Sequence, residues 1–185
     1  MLRRRALFLC ALFGLSLAAQ TVPRPAPELV INFPGGKQTL LSSYKGKVVL
    51  CEILFTTCPH CQHESQVVSK LNQEFGPRGF QPVGVAINPM AGMLVGDFVR
   101  DYHVNFPVGF SERDPALAFL GIDPYVRWAV PQVVIIDRKG VIRAQTPPLS
   151  DEKFQDENWL RQQIEPLLRE GATTHRAAAA RKRST

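Results

Sequence analysis

The sequence predicts an α/β domain, a central mixed β-sheet with helices on both faces. Three observations lead there. Residues 48–55 (VVLCEILF) are a nearly continuous apolar run, the pattern of a central strand covered on both sides. Strand-like and helix-like segments alternate after it, giving β-α-β. Residues 132–136 and 141–144 flank Asp137, Arg138, Lys139 and Gly140, a hairpin signal that makes the late part β-β-α. With 185 residues, 45% hydrophobic and 21% charged, the chain can bury one core of ordinary size, which excludes disorder throughout, collagen and a coiled coil.

In chain order, Arg3, Arg4 and Arg5 precede an apolar run over residues 6–17 and the small residues Ala18 and Ala19, the order of a secretory signal over residues 1–19. The run is shorter than the ~20 residues that span a bilayer, so a retained membrane anchor is the lesser reading. Cys10 would leave with the signal. Residues 20–27 carry three Pro and read as an extended linker. The folded domain is expected over residues 28–170. It opens with a strand pair at 29–33 and 39–41 around Pro34, Gly35 and Gly36. After the strand at 48–55, a helix at 61–75 places Val67, Val68, Leu71 and Phe75 on one face and stops at Gly76 and Pro77.

A second strand at 80–87 is weakened by Pro82 and Gly84. A helix at 93–102, a short strand at 108–110 and a helical turn at 115–120 follow. The hairpin at 132–144 leads to a closing helix at 152–169, carrying Phe154, Trp159, Leu160, Ile164, Leu167 and Leu168, which Pro166 would kink or end early. Residues 171–185 contain no large apolar side chain and read as a disordered basic tail, whose functional reading is weak attraction to an anionic membrane surface. Of the formal charge of +6, three charges lie in Arg3 to Arg5 and four in Arg176, Arg181, Lys182 and Arg183, which leaves the body at about −1. No nucleic-acid face is implied.

The chemistry concentrates where the apolar strand meets its helix. Cys58, Pro59, His60 and Cys61 stand at that junction, so Cys58 sits where unpaired amides and the helix dipole favour an anion. Cys58 would attack a partner disulfide, and Cys61, one turn along, would resolve the mixed disulfide. Pro59 suits a first helical turn, and His60 can add charge or a hydrogen bond beside Cys58. A structural bridge is the bland alternative. Glu52, a lone carboxylate within the strand, shares a face with Leu50, Leu54 and Thr56 by the two-residue period. Burial would raise its pKa and suit it to take or return the proton of Cys61, whereas a Glu reaching water at a strand end would be structural. Pro131 opens the strand at 132–136. Locally it reads as an edge residue, although a cis bond after Val130 would present backbone groups beside the Cys pair.

The strand VVLCEILF, Thr57 through Cys61, Glu64, the Val130-Pro131 pair and the hairpin VVIIDRKGVIR together resemble the thioredoxin superfamily, and within it the secreted TlpA/ResA-type thiol-disulfide oxidoreductases. The resemblance implies a thioredoxin-like fold over residues 28–170. It also implies Cys58 as nucleophile, Cys61 as resolving thiol, Pro131 as the cis-Pro and Glu52 as the buried acid six residues before the first Cys. Thr57 departs from it, standing where the family usually has Trp, and the Pro-His pair is the one found in the oxidant DsbA. The implied activity is exchange of a Cys58–Cys61 disulfide with protein thiols or disulfides outside the cytoplasm. A monomer, served by an upstream redox partner and needing no organic cofactor, would suffice.

An alternative of another class is a copper-binding protein similar to the Sco family, since two thiolates and a His can hold Cu(I). That family spaces its Cys by three residues rather than two. Zinc lacks a second Cys pair. A peroxiredoxin would place Thr three residues before the nucleophile, where Phe55 stands. Cys51 alternates away from Glu52 and reads as core, and His63, His103 and His175 read as surface residues.

Overall fold

The computed structural model describes residues 21–182, with side chains through Glu170; the signal-like segment 1–19 and residues 183–185 lie outside the described residues. In chain order the strands are β1 (Arg24–Pro25), β2 (Val30–Asn32), β3 (Gln38–Leu40), β4 (Val48–Leu54), β5 (Phe80–Ala86), β6 (Val108–Phe110), β7 (Gln132–Ile136) and β8 (Val141–Gln145). The helices are α1 (Pro59–Phe75), α2 (Ala91–Asp101), α3 (Arg113–Leu120) and α4 (Glu157–Lys182). All eight strands form one sheet in the order β1-β8-β7-β4-β5-β6-β2-β3. Within it, β4 and β5 run parallel, as do β5 and β6, while β4 is antiparallel to β7.

The central position of β4 follows from its composition. All seven of its residues are buried, so each face must find a cover. Val48, Leu50 and Leu54 face a core shared with α1, α2 and α4. Val49, Cys51 and Ile53 face a second core closed by α3 and the N-terminal strand pair. Cys51 is fully buried there as a small apolar residue, and burial pushes its thiol well above the ordinary range.

Several expectations need correction. Residues 20–27 do not run free of the domain where they are described: Arg24 and Pro25 pair with Ile142 and Val141 of β8. The Arg24 guanidinium donates to the carbonyls of Phe119 and Leu120 at the end of α3, at 3.2 and 3.3 Å, and to Gln145 Oε1 at 2.7 Å. An edge strand needs few N–H donors, which is why a Pro-rich segment can serve. The closing segment begins with a 3-10 turn at Glu152–Gln155, and the α-helix after it runs through Pro166 to Lys182, past the expected end at 169 and into the stretch read as a disordered tail. Finally, β7 lies between β4 and β8, so Pro131 is buried and does not open an edge strand.

Candidate active site

The chain leaves β4 through Phe55, Thr56 and Thr57, and Cys58 caps α1. Cys58 is extended (φ −89°, ψ 120°), and Pro59 enters the first turn, where its missing N–H costs nothing. The Cys58 N–H donates to the Phe55 carbonyl at 3.1 Å, and the Cys58 carbonyl accepts from the Gln62 N–H at 3.0 Å. Its sulfur therefore stands at the positive end of a 17-residue helix. Cys58 is half-buried among the exposed Thr57, Pro59 and His60, whereas Cys61 is fully buried. Both are free thiols.

Helical spacing puts residues 61, 64, 65 and 68 of α1 on one face, and that face packs over the Leu50, Glu52 and Leu54 face of β4. Glu52 is fully buried there. Its Oε2 accepts from Ser65 Oγ at 2.8 Å, and among the described residues Oε1 has no partner. Glu64 is also fully buried, with neither carboxyl oxygen hydrogen-bonded among the described residues. Burial pushes Glu52 up to about 8, with the Ser65 bond pulling the other way. Burial, and then the charge of Glu52, raises Glu64 well above the usual carboxylate range. The Cys61 thiol is raised first by burial and second by the Glu52 charge. A desolvated carboxylate without donors is costly, so at neutral pH this interior holds protons that neighbouring groups can exchange.

The second loop of the site comes from the strand on the other side of β4. The Val130–Pro131 peptide is cis. Val130 packs against the same core as Cys58, and His60 and Val130 line one groove with Leu149 and Asp151. Gln132 Nε2 fixes this loop by donating to the carbonyls of Ala129, Pro147 and Pro148 at 2.8, 3.2 and 3.2 Å. Phe55 and Trp128 meet edge to face, their centroids 6.1 Å apart, which joins the two loops on the opposite face.

The structure thus gathers Cys58, Pro59, His60, Cys61, Glu52 and Pro131 at one end of the sheet. His63 and His103 stay on the exposed surface, and His175 has no described side chain. Among the described residues no three His, Cys, Asp or Glu are arranged to hold a metal ion, so the copper reading finds no ligand set there. Sequence reasoning gave no role to Ser65, Gln62, Asn88 or Gln132, and met Glu64 only through resemblance. The signal for Glu64 and Ser65 was available: they are polar residues on the apolar face of an amphipathic helix, three and four positions after a Cys.

Residues 22–164 match the Redoxin family. The thiol-disulfide oxidoreductase ResA of Bacillus thuringiensis subsp. konkukian is 24% identical over 144 residues, covering 74% of this chain and 80% of that protein. A probable glutathione peroxidase 8-A of Xenopus laevis is 31% identical over 98 residues, 46% of this chain and 47% of that one. Among solved structures, a thiol:disulfide interchange protein of the thioredoxin family from Chlorobium tepidum superposes with a TM-score of 0.64 at 25% identity, covering 81% of this chain and 99% of that one. With two cysteines at the mouth of α1 on this sheet, the chain belongs to the Redoxin family within the thioredoxin superfamily, as a thiol-disulfide oxidoreductase of TlpA/ResA type.

Proposed function

We propose that the protein is an exported thiol-disulfide oxidoreductase in which Cys58 is the nucleophile, Cys61 the resolving thiol and Glu52 the proton acceptor for Cys61. The observation that carries this reading is the asymmetry of the pair: a half-buried sulfur at a helix mouth, and a fully buried one backed by two buried carboxyls that share a single described donor, Ser65. In the first step the Cys58 thiolate attacks one sulfur of a partner disulfide, forming a mixed disulfide and releasing one partner thiolate. In the second, Cys61 gives its proton to Glu52 and attacks the Cys58 sulfur. The Cys58–Cys61 disulfide forms, the second partner thiolate leaves, and two electrons have passed to the partner.

Glu64, held protonated by burial and by the Glu52 charge, stays neutral beside the acceptor. His60 supplies a donor next to Cys58, and the groove between His60, Val130 and Leu149 offers a partner chain a seat beside the half-buried Cys58. Run backwards, the same steps oxidise a partner dithiol. A reduction potential near ~−270 mV makes the pair a reductant and one near ~−120 mV an oxidant.

Reduction of a model disulfide protein with dithiothreitol as electron source tests the assignment. Cys58→Ser is expected to abolish turnover, and turnover that survives it refutes Cys58 as nucleophile. Export rests on the signal pattern of residues 1–19. N-terminal sequencing of the protein recovered from producing cells should begin just after Ala19, and recovery of the intact chain in the soluble cytoplasmic fraction would refute export. Among the described residues no helix is long and apolar enough to cross a membrane.

A further inference from the structure

Thr56, two residues before Cys58, has every polar group taken by a side chain from outside its own loop. Its N–H donates to Asn88 Oδ1 at 2.9 Å, and its Oγ1 lies 3.3 Å from that oxygen and 3.1 Å from Asn88 Nδ2. Its carbonyl accepts from Gln62 Nε2 at 3.0 Å. Asn88 and Thr56 are both buried, so these bonds are made away from water and are costly to leave unmade. The placement follows from the sheet. The last rung between β4 and β5 is Ile87 N–H to the Leu54 carbonyl at 3.0 Å, and the Asn88 side chain adds one more rung beyond it. Asn88 is itself fixed, since its Nδ2 donates to the Pro89 carbonyl and its own carbonyl accepts from the Ala91 N–H, both at 3.1 Å. Gln62 holds the other side, with its backbone N–H on the Cys58 carbonyl.

Disulfide exchange needs the attacking sulfur close to the target sulfur and in line with the bond that breaks, and small misplacements of reacting groups cost large factors in rate. The exposed Thr57 offers no large side chain to brace this turn. We infer that Asn88 and Gln62 are positioning residues that clamp Thr56 from two elements and so aim the Cys58 sulfur at the partner disulfide. The inference rests on the reading of Cys58 as the nucleophile. It places part of the specificity for protein disulfides in the turn after β5, a segment that does not itself carry a reacting group.

The test isolates the first step by working in the Cys61→Ser background. Two rates are measured there: mixed-disulfide formation with a protein disulfide, which needs an aimed sulfur, and alkylation by iodoacetamide, a small reagent that reaches a sulfur from many directions. Asn88→Ala and Gln62→Ala should each slow mixed-disulfide formation about tenfold or more while changing alkylation less than about twofold. An unchanged rate of mixed-disulfide formation in both variants overturns the clamp. So does an equal loss in both rates, because the substitutions would then act on thiolate reactivity and not on aim. If Asn88→Ala fails to fold, Gln62→Ala decides alone, its side chain being only half-buried. If the Cys61→Ser parent itself forms no mixed disulfide, the reading of the nucleophile has failed, an outcome distinct from failure of the clamp.

Discussion

Glu52 and Glu64 sit in the same apolar interior, but their charges do not have equal standing. Glu52 has one donor, Ser65, and titrates at about 8, while Glu64 has none among the described residues and is raised further by the Glu52 charge. Glu52 therefore ionises first. With Glu52 as the proposed proton acceptor the resolving step needs its carboxylate, so the rate is expected to rise with pH through about 8. Glu52→Gln keeps an acceptor for Ser65 but cannot take a proton. It should slow the resolving step about 100-fold and flatten the pH profile, a loss typical of removing a general base. Glu64→Gln mimics the protonated acid already present and should leave the inflection in place. Stopped-flow rates of mixed-disulfide resolution across pH 6 to 10 check both, and an unaltered profile in Glu52→Gln would make that residue structural.

At the scale of the element, the same carboxyl links β4 to stability. Its folded pKa of about 8 lies above the ordinary 4.5, so folding favours the protonated form. The sign follows directly: the stabilisation is complete below about 4.5 and is lost as pH rises toward about 8, with each unit of separation worth about 1.4 kcal/mol. Urea denaturation should show the wild type losing stability over that window relative to Glu52→Gln; parallel curves would contradict it. Gly109 in β6 makes a second element-scale prediction. A Cβ there would collide with the Asn32 carbonyl oxygen and lie 2.6 Å from Ile31 Cγ2 of β2, so Gly109→Ala should cost about 1 to 3 kcal/mol or more. A thermal melt unchanged from wild type would show that β2 does not hold that distance.

Most elements were legible at this scale because their apolar periods are clean. The strand at 108–110 and the strand at 132–136 fall where the sequence puts them. Pro82 and Gly84 obscured β5 because local propensity treats both as breakers. In the sheet, β6 pairs with β5 only from Gly84 onward, so the side of β5 at Pro82 carries no ladder to lose. Gly84 leaves room for Leu54 and Val108, whose carbons would lie 3.2 Å from an added Cβ.

For the whole molecule, the first described residues act as a clasp. Arg24 ties β8, the end of α3 and the sheet edge together through three hydrogen bonds from one guanidinium. Arg24→Ala should lower stability by about 1.5 to 3 kcal/mol, the usual worth of bonds from a charged donor. A melting temperature equal to wild type would return the segment to the status of a linker. That clasp was illegible in the sequence because it depends on partners 95 to 121 positions away, and three Pro in a row of eight residues describe an edge strand and a linker equally well. The cysteine pair was legible because its proposed chemistry is local: strand, turn, Cys and helix adjoin in the chain. Asn88 and Gln132 were not, since their roles exist only once distant loops meet.

Intact-mass spectrometry on two single variants tests the central claim most directly. Incubated with a disulfide-bearing partner protein, Cys61→Ser should accumulate one covalent partner per chain through Cys58, because the sulfur that would release it is gone. Cys58→Ser should accumulate none, since the other described cysteines, Cys51 and Cys61, are both fully buried. The reverse pattern, or equal adducts on both, would contradict the division of labour between the two cysteines.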